Sequence, residues 1–524
     1  MKHNGIDIDD LESRRITLQR ELDAQKAAEE RNRLGQFSTP PNLAEEILTY
    51  AKMLLPADSK VRFLDPAIGT GAFYSALLRV FGQSRIAGAA GYEIDPHYAK
   101  PAIELWKHSR LALELADFTR AAPSSDFNLV ICNPPYVRHH HVPSEEKSRL
   151  QLRTLRASGS RLSGLAGLYC HFIGLSQAWM AKNAIAGWLI PSEFMDVNYG
   201  RAVKQYLLQQ VTLLEIHRFN PNDVQFSDAL VSSAVVWFRN ALPPDNHSVK
   251  FSFGGTLLQP KSSKIIPSEA LMHEAKWTRF PGNDVRQKST APIVADFFRI
   301  KRGIATGSNE SFILSADELA KRELPVECFK PILPSPRHLP CNEITADKKG
   351  NPLLERRMFL LDPNLSEGEI KSRFPNLWSY LEELKAKGLD KRYLCRHRSP
   401  WYSQENRPPA PIVCTYLGRS DKKDGRPFRF ILNHSAATVA NVYLAMYPTP
   451  SLERAASANP DLMRQIWKIL NRIHPDELLG EGRVYGGGLH KLEPRELAQV
   501  PIRELGDLVT LPPKQAELFA VGEV

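Results

Sequence analysis

The sequence predicts an α/β fold with a mixed, mostly parallel, doubly wound sheet over residues 34–245, followed by an α+β domain over residues 246–524. From residue 61 onward, short apolar runs alternate with helical stretches, which is typical of parallel strands joined by helices. Beyond about residue 240 this alternation fades, and proline and charged residues become more frequent. A chain of 524 residues also exceeds one ordinary hydrophobic core, so two or three domains are expected.

Composition excludes several classes of protein. A hydrophobic content of 43% and a charged content of 24% are ordinary for a globular chain and exclude collagen, coiled coils and wholesale disorder. Six cysteines without a C-x-x-C pair argue against a disulfide framework and a cysteine-rich zinc site. No stretch approaches the ~18 apolar residues of a membrane span, and the N-terminus lacks the apolar core of a signal peptide. We therefore expect a cytoplasmic protein without a membrane partner.

The first predicted element is an N-terminal helical arm over residues 1–33, with leucines at positions 11, 18 and 22. Its narrow apolar stripe favours a solvated arm packed on the main domain, and a dimer or DNA strap is the alternative. Gly35 to Pro41 ends the arm, and an amphipathic helix follows. Strands are then predicted over VRFLD, IAGAAGYEI, FNLVIC, AGWLIP, VTLLEIHRF and VSSAVVWF, and helices over AFYSALLRVF, from about residue 97, and near residues 168–182.

Residues 65–71 form a glycine loop between a predicted strand and a predicted helix. Gly69 and Gly71 lack a Cβ atom, so the backbone can turn sharply and approach a ligand closely. Asp65, at the strand end, offers a carboxylate to a cationic group. A dinucleotide-binding loop would need a third glycine where Tyr74 stands, so NAD is disfavoured. On this segment alone, a structural turn without a ligand is the alternative.

The next two strand ends also carry candidate ligand-binding residues. Glu93, in GYEID, can accept hydrogen bonds from both hydroxyls of a ribose, and Asp95 is the rival for that role. Asp117 could accept from an adenine amino group, and Phe118 could stack on the ring, although Asp117 alone could equally cap a helix. Together these residues suggest a nucleoside ligand with few phosphate-binding features. Such a ligand is S-adenosylmethionine.

The segment Asn133-Pro134-Pro135-Tyr136, called the NPPY loop below, follows the buried strand FNLVIC. Two prolines make the loop rigid and remove backbone donors. The Asn133 side-chain oxygen and the Pro134 carbonyl can then accept two hydrogens from one exocyclic amine, and Tyr136 can stack on its base. Attack of such an amine on a methyl group needs no covalent intermediate and no strong base, because alignment of the reacting atoms supplies much of the acceleration.

Other reactive residues are poor candidates. His139, His140 and His141 are adjacent and lack spaced partners, so we predict no metal site and expect a loop that contacts phosphate or solvent. Cys132 is interpreted as a buried strand residue. The Pro340-Cys341 pair could present an attacking thiolate, but it lies outside the α/β domain and far from the glycine loop.

These motifs, in this order over roughly residues 33–240, resemble the adenine-N6 DNA methyltransferases of the TaqI type. The resemblance implies a Rossmann-like, S-adenosylmethionine-dependent methyltransferase domain that acts on a flipped-out adenine of double-stranded DNA. GQFSTPP resembles the segment that places Thr39 and Pro40 near the methionine moiety. The family's loops also add Ala67 and Ile94 to the cofactor residues, and QFSDALVSSAVVWF places Phe226 opposite Tyr136 around the base.

The resemblance leaves alternatives open. RNA and protein-glutamine methyltransferases share the NPPY loop, and a DNA-binding protein could keep an inactive methylase fold. Cytosine-N4 enzymes usually begin this motif with serine, so the asparagine favours adenine. Since residues 1–33 are too few for a nuclease domain, we expect a stand-alone modification enzyme paired with a separate restriction endonuclease of the same site. We expect a monomer, because one active site meets one flipped base per event.

The C-terminal half contains a basic and aromatic segment over residues 385–429. Such a mixture in loops suits phosphate contacts and base reading, whereas a solvated surface is the plain alternative. Two further segments, RGIATGSNESFIL and GGGLHKLEPRELAQVPI, resemble parts of target-recognition domains in the methylase family. The predicted DNA-binding residues are Lys391, Arg392, Arg396, Arg398, Arg419, Lys422 and Lys423.

Overall fold

The computed structural model describes residues 2–3, 6–221, 223, 232–282, 291–419, 426–485 and 489–508. The chain divides into two compact units. The first is Met1–Gln287 with Tyr485–Gly487, and the second is Lys288–Val484 with Gly488–Val524. This division differs from the boundary that was expected after residue 245. Two strands that follow residue 245, Ser248–Gly255 and Pro260–Pro267, belong to the sheet of the first unit.

The first unit is built on a nine-stranded mixed sheet. Its strand order is β11-β10-β8-β9-β7-β6-β3-β4-β5. The five strands from β7 to β5 in this order run parallel to one another. Strand β9 runs antiparallel to β7 and β8, and β11 runs antiparallel to β10, so the mixed, mostly parallel sheet is confirmed. The strands are β1 (Lys2–His3), β2 (Ile6–Asp7), β3 (Val61–Asp65), β4 (Ile86–Glu93), β5 (Leu111–Leu115), β6 (Phe127–Cys132), β7 (Met180–Pro191), β8 (Thr212–Arg218), β9 (Ser233–Arg239), β10 (Ser248–Gly255) and β11 (Pro260–Pro267).

Helices cover both faces of this sheet. Phe63 and Leu64 are successive residues of β3, yet they pack into two different hydrophobic clusters. Successive side chains of a strand point to opposite faces, so the sheet is buried on both sides. The helices of this unit are α1 (Ile8–Ala24), α2 (Ala28–Leu34), α3 (Pro41–Leu54), α4 (Ala72–Phe81), α5 (Pro96–Trp106), α6 (Ser144–Ser158), α7 (Leu168–Ser176), α8 (Gly200–Gln209) and α9 (Ser268–His273).

The predicted N-terminal arm forms two helices, of which α1 packs on the sheet domain and α2 has no buried residue. Ile8 and Leu11 are buried in the same cluster as α3 and α4, in line with the packed arm. Helix α2 ends at Gly35, whose φ of 66° lies in the left-handed region that favours glycine. Sequence reasoning did not identify β5, α6 and α8. Helix α8 has a helical period, since Val203, Tyr206 and Leu207 are buried on one face.

The second unit is an α+β structure, as predicted, and its described residues form three separate sheets. Their strand orders are β12-β20-β17-β19-β15, β13-β16-β14 and β18-β22-β21. The strands are β12 (Phe298–Arg302), β13 (Ile313–Ser315), β14 (Phe329–Ile332), β15 (Glu343–Ile344), β16 (Met358–Leu361), β17 (Ile412–Thr415), β18 (Leu417–Arg419), β19 (Phe430–Asn433), β20 (Tyr443–Pro448), β21 (Arg483–Tyr485) and β22 (Leu489–Lys491). The helices are α10 (Val294–Phe297), α11 (Asn309–Phe312), α12 (Ala316–Lys321), α13 (Glu367–Arg373), α14 (Pro375–Ala386), α15 (Tyr393–Arg396), α16 (Pro450–Ala458), α17 (Leu462–Leu470), α18 (Pro475–Glu481), α19 (Pro494–Ala498) and α20 (Arg503–Leu508). Among the described residues of both units, no helix has the length and apolar character needed to cross a membrane.

Candidate active site

A cavity of about 510 Å³ lies in the first unit, where the parallel strands β3, β4, β5 and β6 end. Ligands of doubly wound sheets bind beyond the carboxyl ends of their strands, so this is the expected position for a site. Eight of the predicted site residues line the cavity: Ala67, Gly69, Glu93, Ile94, Asp117, Phe118, Asn133 and Pro135.

The glycine loop turns sharply beside the cavity. Gly69 and Gly71 have φ angles of 55° and 92°, which side chains other than glycine rarely adopt. A Cβ atom on Gly71 would lie 2.5 Å from the indole nitrogen of Trp106, which itself donates to the Thr70 carbonyl. A Cβ atom on Gly69 would meet nothing within 4 Å. The absence of a side chain at Gly71 therefore allows Trp106 to pack closely, whereas the space beside Gly69 is open.

The Glu93 carboxylate is fixed by backbone donors. Its Oε2 accepts from the Gly69 N–H at 3.1 Å, and its Oε1 accepts from the Asp95 N–H at 2.8 Å. Burial raises the Glu93 pKa, opposed by these hydrogen bonds. Each oxygen keeps a further lone pair, and the residue lines the cavity.

Asp95, the rival for the ribose, is already engaged. Its Oδ1 accepts from the His97 N–H at 2.9 Å and caps α5, and its Oδ2 accepts from Gln36 and Lys26. Burial raises the Asp95 pKa, but the hydrogen bonds from Lys26, Gln36 and His97 outweigh it and lower the pKa. Asp95 thus joins α5 to the segment that follows α1.

Asp117 and Phe118 are rigidly held at the end of β5. Asp117 Oδ1 accepts from the backbone and hydroxyl of Thr119 at 2.8 and 2.7 Å. The Phe118 ring packs 5.7 Å from Tyr92 and is almost fully buried, whereas Ile94 is 65% exposed. Exposed apolar surface beside a fixed carboxylate suits the edge and face of a base.

Asp65 lies behind the cavity wall. Its side chain is 1% exposed and accepts from the Ala67 N–H at 3.1 Å and from the Cys132 thiol. Burial raises the Asp65 pKa to about 8. The other predicted residues of the site do not line the cavity either: Thr39, Pro40, Gly71, Pro134 and Tyr136.

The orientation of the Asn133 amide is determined by its partners. Its Nδ2 donates to the Phe37 carbonyl at 2.9 Å and to the Thr39 hydroxyl at 3.2 Å. A carbonyl can only accept, so the nitrogen must face Phe37 and the oxygen must face away. Asn133 Oδ1 is buried and has no hydrogen-bond partner, although Asn133 lines the cavity. A buried, unsatisfied acceptor costs free energy and needs an explanation, and a catalytic role is one such explanation.

The segment Gly35–Thr39 holds the NPPY loop in place, a role that sequence reasoning missed for Gly35 and Phe37. The Tyr136 N–H donates to the Gly35 carbonyl at 3.2 Å, and a Cβ atom on Gly35 would lie 2.3 Å from that nitrogen. The Phe37 and Tyr136 rings are 5.4 Å apart, and the Tyr136 hydroxyl donates to the Leu189 carbonyl at 3.0 Å. Phe226, the predicted second stacking residue, lies outside the described residues.

Helix α6 and the turn before it close another side of the cavity. Arg149 donates to the carbonyl and hydroxyl of Thr119 at 3.0 and 2.8 Å, and to Glu146 at 2.8 Å. His141 lines the cavity, but within the described ranges no three His, Cys, Asp or Glu side chains converge as metal ligands do.

The wall of the cavity is strongly acidic. Five carboxylate residues line it against one arginine, Arg149: Asp23, Glu93, Asp95, Asp117 and Glu146. Opposite charges attract across a partly desolvated site, so the wall favours a cationic ligand over a polyanionic one. The arrangement combines a cation-binding cavity with a fixed, unpaired acceptor.

Comparisons with known proteins relate both units to one group. The family Eco57I restriction-modification methylase matches residues 94–225, and the family of the C-terminal domain of the type II methyltransferase M.Eco57I matches residues 279–518. The type II methyltransferase M.XamI of Xanthomonas campestris pv. amaranthicola is 28% identical over 494 residues, covering 91% of this chain and 86% of its own. The type II methyltransferase M.AccI of Acinetobacter calcoaceticus is 26% identical over 510 residues, covering 94% of this chain and 89% of its own.

The chain is a restriction-modification methyltransferase. The alignments with M.XamI and M.AccI include the glycine loop, the NPPY loop and the second unit. Among solved structures, the type IIL restriction-modification enzyme MmeI in complex with DNA has 12% sequence identity and a TM-score of 0.49, covering 88% of this chain and 63% of its own.

The second unit of the methyltransferase brings together segments that are distant in sequence. Arg392 donates to the Gly307 carbonyl at 3.1 Å, and Arg398 donates to the Ala305 and Thr306 carbonyls at 2.6 and 3.0 Å. The segment RGIATGSNESFIL therefore lies against residues 392–398. Lys391 and Arg396 are exposed beside them.

The described part of GGGLHKLEPRELAQVPI, residues 489–502, contacts Tyr416, whose carbonyl accepts from the Leu492 N–H at 3.0 Å. Arg419 is exposed on β18, which pairs with β22 through Leu489. The Arg302 guanidinium lies 4.1 Å and the Lys491 ammonium 5.2 Å from the centre of the Tyr416 ring. Sequence reasoning did not single out Arg302 or Lys491, and Lys422 and Lys423 lie outside the described residues.

Proposed function

We propose that this methyltransferase transfers a methyl group from S-adenosylmethionine to N6 of an adenine flipped out of double-stranded DNA. It would act as the modification enzyme of a type II restriction-modification system, beside an endonuclease of the same site. The observation that carries the proposal is the unpaired Oδ1 of Asn133.

A fixed acceptor at Asn133 explains how an amine could become the nucleophile. Because Nδ2 is held by Phe37 and Thr39, Oδ1 cannot rotate away from an incoming N–H. Accepting one amine hydrogen at Oδ1, and a second at the Pro134 carbonyl, would direct the nitrogen lone pair toward the methyl donor. Such preorganised hydrogen bonds stabilise the charge that develops on the amine during transfer.

The residues of the cavity fit the cofactor. S-adenosylmethionine carries a sulfonium and an ammonium cation but no phosphate, in agreement with the acidic wall. Glu93 would accept the ribose hydroxyls, Asp117 the adenine amino group, and Ile94 and Phe118 would provide apolar contact. When bound, the cofactor supplies the activated methyl group, and the chain supplies its orientation.

DNA as the substrate is supported by the family and by the second unit. The chain matches family models of restriction-modification methylases. In the second unit, the exposed Lys391 and Arg396 lie where residues 392–398 contact residues 305–307. Cations at such a surface would neutralise phosphates and release counterions on binding.

Two nearby arginines should respond differently to substitution. Arg396 is exposed over the Tyr393 ring, whereas Arg398 is half-buried and donates to two backbone carbonyls and to Gln404. We expect Arg396→Ala to lower the slope of log K against log salt by about one unit without loss of stability. Arg398→Ala should lower the melting temperature instead. DNA titrations at several salt concentrations, with thermal unfolding of both variants, test this, and an unchanged slope in Arg396→Ala would remove it from the interface.

The proposed function is tested by its product. The purified protein is incubated with S-adenosylmethionine and unmethylated genomic DNA, and the DNA is digested to nucleosides for mass spectrometry. The expected product is N6-methyl-2′-deoxyadenosine. N4-methylcytosine would overturn the choice of base, and the absence of any methylated base would redirect the search to RNA and to protein glutamine.

A further inference from the structure

The N-terminal helix α1 forms part of the cavity wall. Gln19 and Asp23, one helical turn apart, both line the cavity together with Ser38 and Gly69. Residues four positions apart lie on the same face of a helix, so α1 presents a polar edge to the site. The arm is therefore part of the site itself.

Buried polar contacts hold α1 against the glycine loop. Arg15 is 2% exposed and pairs with Glu12 at 2.7 Å, and its Nη1 donates to the Thr70 hydroxyl at 3.3 Å. The Thr70 hydroxyl in turn donates to Gln19 Oε1 at 2.6 Å. These bonds place Gln19 next to the residue that follows Gly69.

Asp23 has acceptor capacity left. Its Oδ1 accepts from the Tyr98 hydroxyl at 2.9 Å and from Gln19 at 3.0 Å, and its Oδ2 accepts from Ser38 at 3.3 Å. Arg31 is 3.7 Å from Oδ1. A carboxylate offers about four lone-pair positions, so a further donor can bind on Oδ2.

The sheet order indicates which part of the cofactor lies beside Asp23. Ribose and adenine would lie at the ends of β4 and β5, through Glu93 and Asp117. The amine acceptor Asn133 follows β6, on the other side of β3. With ribose and adenine held at the ends of β4 and β5, the sulfur would lie between the ribose and Asn133, near the end of β3. The amino-acid portion could then extend toward α1, whose Gln19 and Asp23 line the same cavity. Asp65, at the end of β3, is buried and does not line the cavity, whereas Asp23 of α1 does. Asp95 and Glu146 also line it, but they are paired with Lys26 and with Arg120 and Arg149.

We propose that Asp23 binds the ammonium group of the amino-acid portion of the cofactor, which makes α1 a cofactor-binding element. This inference rests on the proposed use of S-adenosylmethionine. The Asp23–ammonium contact is a charge-assisted hydrogen bond that a ligand without the amino-acid portion cannot make.

Binding of two ligands separates this role from a structural one. S-adenosylhomocysteine contains the amino-acid portion, and 5′-methylthioadenosine lacks it. For Asp23→Asn we expect calorimetry to show roughly ten- to hundredfold weaker binding of S-adenosylhomocysteine and unchanged binding of 5′-methylthioadenosine. Asparagine keeps the size and an oxygen for Gln19 and Tyr98, and Glu21→Gln, exposed on the same helix, is the matched control.

Each other outcome overturns the inference in a distinct way. Equal losses for both ligands would make Asp23 a structural residue, and wild-type affinity for both would place the ammonium elsewhere. If the wild-type protein bound neither ligand, the proposed cofactor itself would be wrong, and the inference would fail with it.

Discussion

Replacing Asn133 with alanine should slow methyl transfer by at least about 10²–10³-fold, the usual cost of losing one preorganised transition-state hydrogen bond. The side chain that orients the amine disappears, and the Phe37 carbonyl and Thr39 hydroxyl lose their donor. The cofactor contacts at Glu93 and Asp117 remain, so the cofactor dissociation constant should stay within a few-fold of wild type.

Single-turnover methylation of DNA, with calorimetry of cofactor binding, measures both quantities for Asn133→Ala. Asn133→Asp is a second useful variant, since it keeps the size of the side chain but removes both donors and should also be inactive. Asn198→Ala is the control, because Asn198 is an exposed asparagine of the same unit. Wild-type rates in Asn133→Ala would assign the amine to another acceptor, and a large loss of cofactor affinity would place Asn133 in the cofactor subsite.

The sequence could predict the strand ends of this site because each one follows a buried apolar run. Glu93 and Asn133 come directly at or after a strand, and the carboxyl ends of parallel strands meet at one edge of a sheet. Their meeting at one cavity therefore follows from local pattern and topology together. The mixed sheet was predictable for the same reason.

Residues that act through tertiary contacts could not be predicted in this way. The residues around Arg15 do not indicate that its side chain is buried against Thr70. The apolar stripe of α1 predicts only that the helix packs against the rest of the protein. Asp65 is the converse case, because a carboxylate after a strand usually faces the ligand, whereas here the fold turns it toward Cys132. Likewise, Arg398 and Arg396 belong to one basic run, and only the folded backbone of residues 305–307 distinguishes them.

Replacing Glu93 with alanine should weaken cofactor binding by roughly 10²-fold, as expected for the loss of two hydrogen bonds to a charged acceptor. The variant loses the ribose acceptors and also leaves the N–H groups of Gly69 and Asp95 without their partner, so the glycine loop loses its fixed position. Both S-adenosylhomocysteine and 5′-methylthioadenosine contain the ribose and should bind more weakly, unlike the pattern expected for Asp23→Asn. Calorimetric titration with each ligand measures this.

Asp95→Asn is the matched comparison for Glu93→Ala, because Asp95 was the rival for the ribose. Its oxygens are engaged by Lys26, Gln36 and the backbone of His97, so its loss should disturb the packing of α5 more than the cofactor. We expect a lower melting temperature with nearly unchanged affinity. If Asp95→Asn weakened binding of both ligands while Glu93→Ala did not, the ribose would belong to Asp95. The Glu93 carboxylate accepts from backbone N–H groups and lines the cavity, whereas Asp95 is also bound by the side chains of Lys26 and Gln36. We therefore expect the ribose at Glu93.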